Sequence, residues 1–185
     1  MNISKMLLVG AAVALAPFAA CASTIVYNSA PADGWFYGNG NNYSPANTAV
    51  LTTDARDQLY LRWHQTGQPA PASSAGGVYS FALGTSPLSF DWGIGGTFTS
   101  ASITLLNLGT NATKTFDVRD PFGLGSPIFN DNSVAFGDTQ NSARLSFSFA
   151  NIGYNPAIND TYRVTLNVLG LAGGAQSLSV DAKLG

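Results

Sequence analysis

One histidine, one cysteine and ten aspartates carry whatever acid–base, nucleophilic or metal chemistry this 185-residue chain can do; it contains no glutamate. His64 lies in Leu59-Tyr60-Leu61-Arg62-Trp63-His64, where the alternation puts it on the face of Tyr60 and Arg62. A hydrolase triad would need that imidazole beside a serine and an aspartate. The chain has no Gly-x-Ser-x-Gly elbow to present such a serine, so His64 is expected to be a solvated side chain on a wet strand face. Sugar hydrolysis by paired carboxylates would need two aspartates brought together by the fold, since the usual glutamate acid is missing. With one histidine and one cysteine, a zinc site of several His or Cys ligands is excluded.

Two stretches offer hard oxygen ligands. Asp131, Asn132 and Asp138 fall within eight residues of one another, and Asp54 and Asp57 flank Arg56. Either stretch is a candidate Ca2+ site, the first ahead of the second, although neither fits the twelve-residue EF-hand loop. Capping of turns by Asx side chains explains the same residues without a metal. A third cluster is aromatic. Trp35, Tyr37 and Tyr43, with Asn41, crowd a Gly- and Asn-rich segment. On a loop these rings form a platform for a sugar, with the amide reaching its hydroxyls; in the core they plug one end of the fold.

Composition limits the function classes further. Residues 1–22 have the form of a cleavable export signal. Lys5 is its basic start, residues 6–16 are apolar or Gly, and Ala20-Cys21-Ala22 is an A-x-A site. The expected mature domain is 23–185. The alternative is lipidation of Cys21 after Phe18-Ala19-Ala20. Cleavage after Ala22 removes the only cysteine, so the exported domain is expected to hold by packing without a disulfide. It also leaves seven basic against ten acidic residues, a net charge of −3. No basic stripe is present to displace counterions from nucleic acid. No later run of eighteen apolar residues exists to cross a membrane as a helix.

The elements that must position these residues show a period of two. Residues 88–92, 145–149, 162–168 and 178–184 alternate apolar and polar side chains, and weaker candidates are 24–27, 48–52, 58–64, 78–83, 100–108, 114–118 and 133–136. Gly-, Pro- and Asn-rich turns separate them, among them 31–34, 93–96, 109–111 and 172–174. The polar residues are mainly Asn, Ser, Thr and Asp, which suit turns and strand faces better than helix surfaces. The pattern predicts an all-β, single-domain antiparallel β-sandwich, jelly-roll-like, with 65–77 as a long loop. The last strand pair, 162–169 and 178–184, is expected to close the fold.

Several segments resemble the PEP-CTERM (exosortase-sorted) proteins, a family of small exported bacterial proteins. The resemblance rests on Trp35-Phe36-Tyr37-Gly38-Asn39-Gly40-Asn41-Asn42-Tyr43, Pro45-Ala46-Asn47, Val78-Tyr79-Ser80-Phe81-Ala82-Leu83-Gly84, Ser89-Phe90-Asp91-Trp92, Asn159-Asp160-Thr161-Tyr162 and Gly173-Gly174. The family's Pro-Glu-Pro motif, apolar helix and basic terminus are not in the sequence up to Gly185, so covalent sorting is not carried over. The resemblance implies a surface or matrix protein of a Gram-negative bacterium, acting in biofilm or floc cohesion. The expected partners are exopolysaccharide or sister subunits, as a homo-oligomer or as a filament built by strand addition through 24–27. A carbohydrate-binding module and a small glycan hydrolase or lyase are the alternatives.

Overall fold

The computed structural model describes residues 22–31, 45–123 and 139–185. The candidates Trp35, Tyr37, Asn41, Tyr43, Asp131, Asn132 and Asp138, the strand expected at 133–136 and the leader up to Cys21 lie outside the described residues. Among the described residues ten strands form two sheets. They are β1 (Ser23–Ser29), β2 (Thr48–Thr53), β3 (Gln58–Gln65), β4 (Val78–Phe81), β5 (Leu88–Gly95), β6 (Ser100–Asn107), β7 (Thr113–Asp117), β8 (Thr139–Arg144), β9 (Asp160–Leu171) and β10 (Gly174–Leu184). The first sheet has the order β1-β2-β3-β5-β8 and the second β4-β10-β9-β6-β7. The chain alternates between sheets from β3 to β6 and from β7 to β9, as in a jelly roll. The last strand instead stays beside β9 and pairs parallel with β4, Asp181 opposite Val78 and Leu184 opposite Phe81.

The period of two sets the core. On β9, Tyr162, Val164, Leu166 and Val168 are fully buried, and on β10 Leu178, Val180, Ala182 and Leu184 lie opposite or beside them. Leu59, Leu61 and Trp63 of β3 and Leu88, Phe90, Trp92 and Ile94 of β5 face them from the first sheet. Trp63 Nε1 donates across the sandwich to the Val180 carbonyl, 3.2 Å away, giving a buried polar atom its partner. Asp57 ties the sheets at one end. Its Oδ2 accepts from the Gly173 amide of the β9–β10 turn at 2.8 Å.

Three expectations are corrected. Residues 145–149 are not a strand. Leu145 makes one further bond to Leu88 O, and the chain then turns into a 3-10 turn at Ser148–Ala150. There Phe149 packs edge-on against Phe116 at 5.0 Å and Phe122 at 4.8 Å, so the alternation reflects an aromatic cluster. The strand on β5 is instead β8, whose TQNSAR has a single apolar residue and is held by main-chain pairing. Residues 93–95, read as a turn, belong to β5 and pair with β3 through Gly95.

Candidate functional site

His64 is not solvated. It is 1% exposed, beside Arg62 and Asp91, both fully buried. The three meet because β3 and β5 pair with Arg62 opposite Asp91 and His64 opposite Ser89, on the face turned away from the core. Alternation identifies which side chains share a face; it does not make that face wet. Here the polar side chains are sequestered together, with Asp91 paired to both Arg62 and His64.

The geometry fixes the charges. Arg62 Nε donates to Asp91 Oδ2 at 2.6 Å, and His64 Nε2 lies 3.1 Å from Asp91 Oδ1. His64 Nδ1 lies 2.9 Å from the Gln65 carbonyl. Both ring nitrogens thus face acceptors, and both must carry hydrogen. Burial alone would lower the His64 pKa, but the charge and hydrogen bond of Asp91 outweigh it and raise the value above 6.5. Burial pushes Asp91 upward, and His64 and Arg62 overcome it to hold the carboxyl at about 2. Arg62 and His64 thus share the Asp91 carboxylate, and all three side chains are buried.

A base must have a nitrogen lone pair to accept a proton. In this arrangement His64 has none, and the neighbouring Ser89 Oγ pairs with Thr66 Oγ1 at 2.5 Å. The triad rigidifies the centre of the first sheet. A second chain of polar contacts extends it, from Tyr60 OH to Gln58 Oε1 (2.5 Å) and from Gln58 Nε2 to Thr52 Oγ1 (3.3 Å). Asp57, a weaker Ca2+ candidate, is spent on the β9–β10 turn. Among the described residues no group of three His, Cys, Asp or Glu side chains is placed to hold a metal.

The other distinctive place is the edge strand β1. It pairs antiparallel with β2, from Ser23 opposite Thr53 to Val26 opposite Val50, and after an irregularity Ser29 lies opposite Thr48. Its side chains bury little. Ile25 is 42% exposed and Val26 52%. Two residues anchor it. Tyr27 packs on the core, and it fits because residue 77 is glycine: a Cβ there would lie 2.5 Å from Tyr27 Cε1. Gly77 also has φ +74°, a left-handed conformation that favours glycine. Asn28, itself at φ 55°, clamps Ser73. Its Nδ2 donates to Ser73 O at 2.8 Å and its Oδ1 accepts from Ser73 N at 2.7 Å. The long 65–77 loop is thus the wall of a slot that reads β1 by one ring and one amide.

β1 and β2 are neighbours in the sheet, yet eighteen residues separate Ser29 from Thr48. Antiparallel neighbours usually need a connection of about 2–5 residues. Comparison of this chain with protein-family models, with curated proteins and with solved structures finds no match.

Proposed function

We propose that this chain is an exported, non-enzymatic β-sandwich of a Gram-negative cell surface or extracellular matrix, which acts in cohesion by self-association. The carrying observation is β1, a strand held by main-chain bonds and two specific anchors while exposing most of its side chains. Such a strand can leave its own β2 and complete the same slot on a second copy, because every contact it makes is recreated there. The connection after it is long enough. Eighteen residues reach at most about 60 Å when extended, at roughly 3.3 Å per residue. Where each copy donates its strand to the next and not back to its donor, the contact is head-to-tail, and one that does not close into a ring grows into a filament.

The resemblance to exosortase-sorted proteins supports an exported matrix role. The commitment of both His64 nitrogens to acceptors supports an interaction role over hydrolysis. Mass photometry and electron microscopy of the chain from Ser23 onward test the proposal. Concentration-dependent linear assemblies are expected. Strict monomers at the highest attainable concentration would contradict it.

A further inference from the structure

The face of the second sheet turned away from the core is built of small hydroxyl and amide side chains in register. Ser179, Thr165, Thr104 and Thr115 form one row across β10, β9, β6 and β7. Ser177, Asn167, Ser102 and Asp117 form the next. The first row is closed on itself, with Thr165 and Ser179 hydroxyls 2.8 Å apart and those of Thr104 and Thr115 3.0 Å apart. The second row is not. At its β6 end the surface dips into an open trough of about 310 Å3, floored by Ser100 and Ser102 and walled by Asn167 and Leu169 on one side and Thr115 and Asp117 on the other.

We propose that this trough binds a neutral saccharide. Its polar atoms are arranged for a polyol. Asn167 Oδ1 is engaged by Ser177 Oγ at 2.9 Å, which leaves the amide Nδ2 as a donor. Asp117 Oδ1 is engaged by the Arg119 amide at 2.7 Å, which leaves Oδ2 as an acceptor. Ser102 lies opposite both and can do either. Donor and acceptor are thus carried two strand spacings apart, about 9–10 Å between backbones, with a hydroxyl between them. Hydroxyls at opposite ends of a sugar ring or on successive rings, each a donor and an acceptor, match that order. Leu169, 54% exposed on the rim, offers an apolar surface to the C–H face of the ring.

Charge selects among glycans. Among the described residues, Asp117 is the one ionisable side chain lining the trough, and it repels uronic acids and sulfated sugars. Phe116, the one aromatic among the described lining residues, is only 7% exposed, so ring stacking from it adds little. Each trough therefore binds weakly, with Kd on the order of 1 mM. A glycan polymer contacting many copies recovers retention through avidity. The site is separate from β1, and neither proposal requires the other.

The test is a titration of the 15N-labelled mature chain with neutral hexasaccharides (cellohexaose, laminarihexaose and mannohexaose) and with hexagalacturonate. At least one neutral probe is expected to shift the amides of Ser102, Thr115, Asp117 and Asn167, and hexagalacturonate is expected to leave them in place. Ser102→Ile fills the trough from a half-buried position on its floor and should weaken that binding about tenfold or more, a loss of ~1.4 kcal/mol or more. Ser179→Ile, in the closed row, should leave it unchanged. Shifts confined to other surfaces, equal binding of the acidic probe, or no shifts with any neutral hexasaccharide would overturn the proposal.

Discussion

Asp91 is the residue on which the first sheet's polar centre depends. It pairs with both Arg62 and His64, and removing it takes that shared carboxylate from two buried side chains. Truncation of one partner in a buried ion pair typically costs about 3–5 kcal/mol, so Asp91→Ala should lower the melting temperature by about 6–20 °C in a domain of this size. The same network sets a pH profile. His64 has a folded pKa above its unfolded 6.5, so its contribution is complete below pH 6.5 and is lost as pH rises through the folded value. Asp91 has a folded pKa of about 2 against an ordinary 3.8, so its contribution is complete above 3.8 and is lost as pH falls toward 2. From these two groups, stability to urea should hold level between those limits and decline above pH 6.5. His64→Gln should flatten the alkaline decline. A wild-type midpoint that rises from pH 6.5 to about pH 8 would contradict the assignment of an imidazolium.

At the scale of elements, β1 is the least buried strand, and its docking depends on Gly77. Gly77→Ala places a Cβ against the Tyr27 ring and forces alanine into a left-handed conformation. A penalty of about 1–2 kcal/mol is expected from the backbone alone. Hydrogen exchange at the β1 amides that bond β2 should accelerate about tenfold or more, while Leu166 at the centre of β9 should keep its protection. The strands most legible in the sequence were those with one core face. Tyr162 to Val168 and Leu178 to Leu184 alternate because one side meets the core and the other meets water. β8 was hidden because its pairing is by main chain and its TQNSAR carries no apolar rhythm. Phe147 and Phe149 imitated a strand because an aromatic cluster also places rings two residues apart. The buried triad was missed for a different reason. Arg62, His64 and Asp91 were all visible, but only the register of β3 on β5 shows that they meet. The β1 slot was half legible. The strand was expected, whereas its readers Ser73 and Gly77 lie in a loop whose composition gave no sign of contact with the N-terminus.

At the scale of the molecule, the described residues enclose one continuous core between two sheets and hold it by packing and main-chain pairing. Strands β1 and β8 edge the first sheet, and β4 and β7 the second. β4 and β7 are short, four and five residues, which limits uncontrolled pairing at those edges. β1 is longer, at seven residues, buries little of its side-chain surface and is separated from β2 by eighteen residues of chain. A chain beginning at Ala30 should therefore remain folded, with a β-type circular dichroism spectrum, and should fail to assemble; addition of a Ser23–Ser29 peptide should occupy its empty slot. Loss of the β-type spectrum on this truncation would show that β1 is integral to the sandwich.

Strand exchange itself is tested most directly by cross-linking. Thr24 and Thr52 face each other across β1 and β2, and opposed residues of an antiparallel pair lie within disulfide reach. A chain that begins at Ser23 contains no other cysteine. A mixture of mature Thr24→Cys and mature Thr52→Cys chains, assembled and then oxidised, should yield a disulfide joining one chain of each kind. Assemblies in which no such mixed disulfide forms, while the Thr24→Cys/Thr52→Cys double variant closes its bond within one chain, would show that β1 stays on its own sheet.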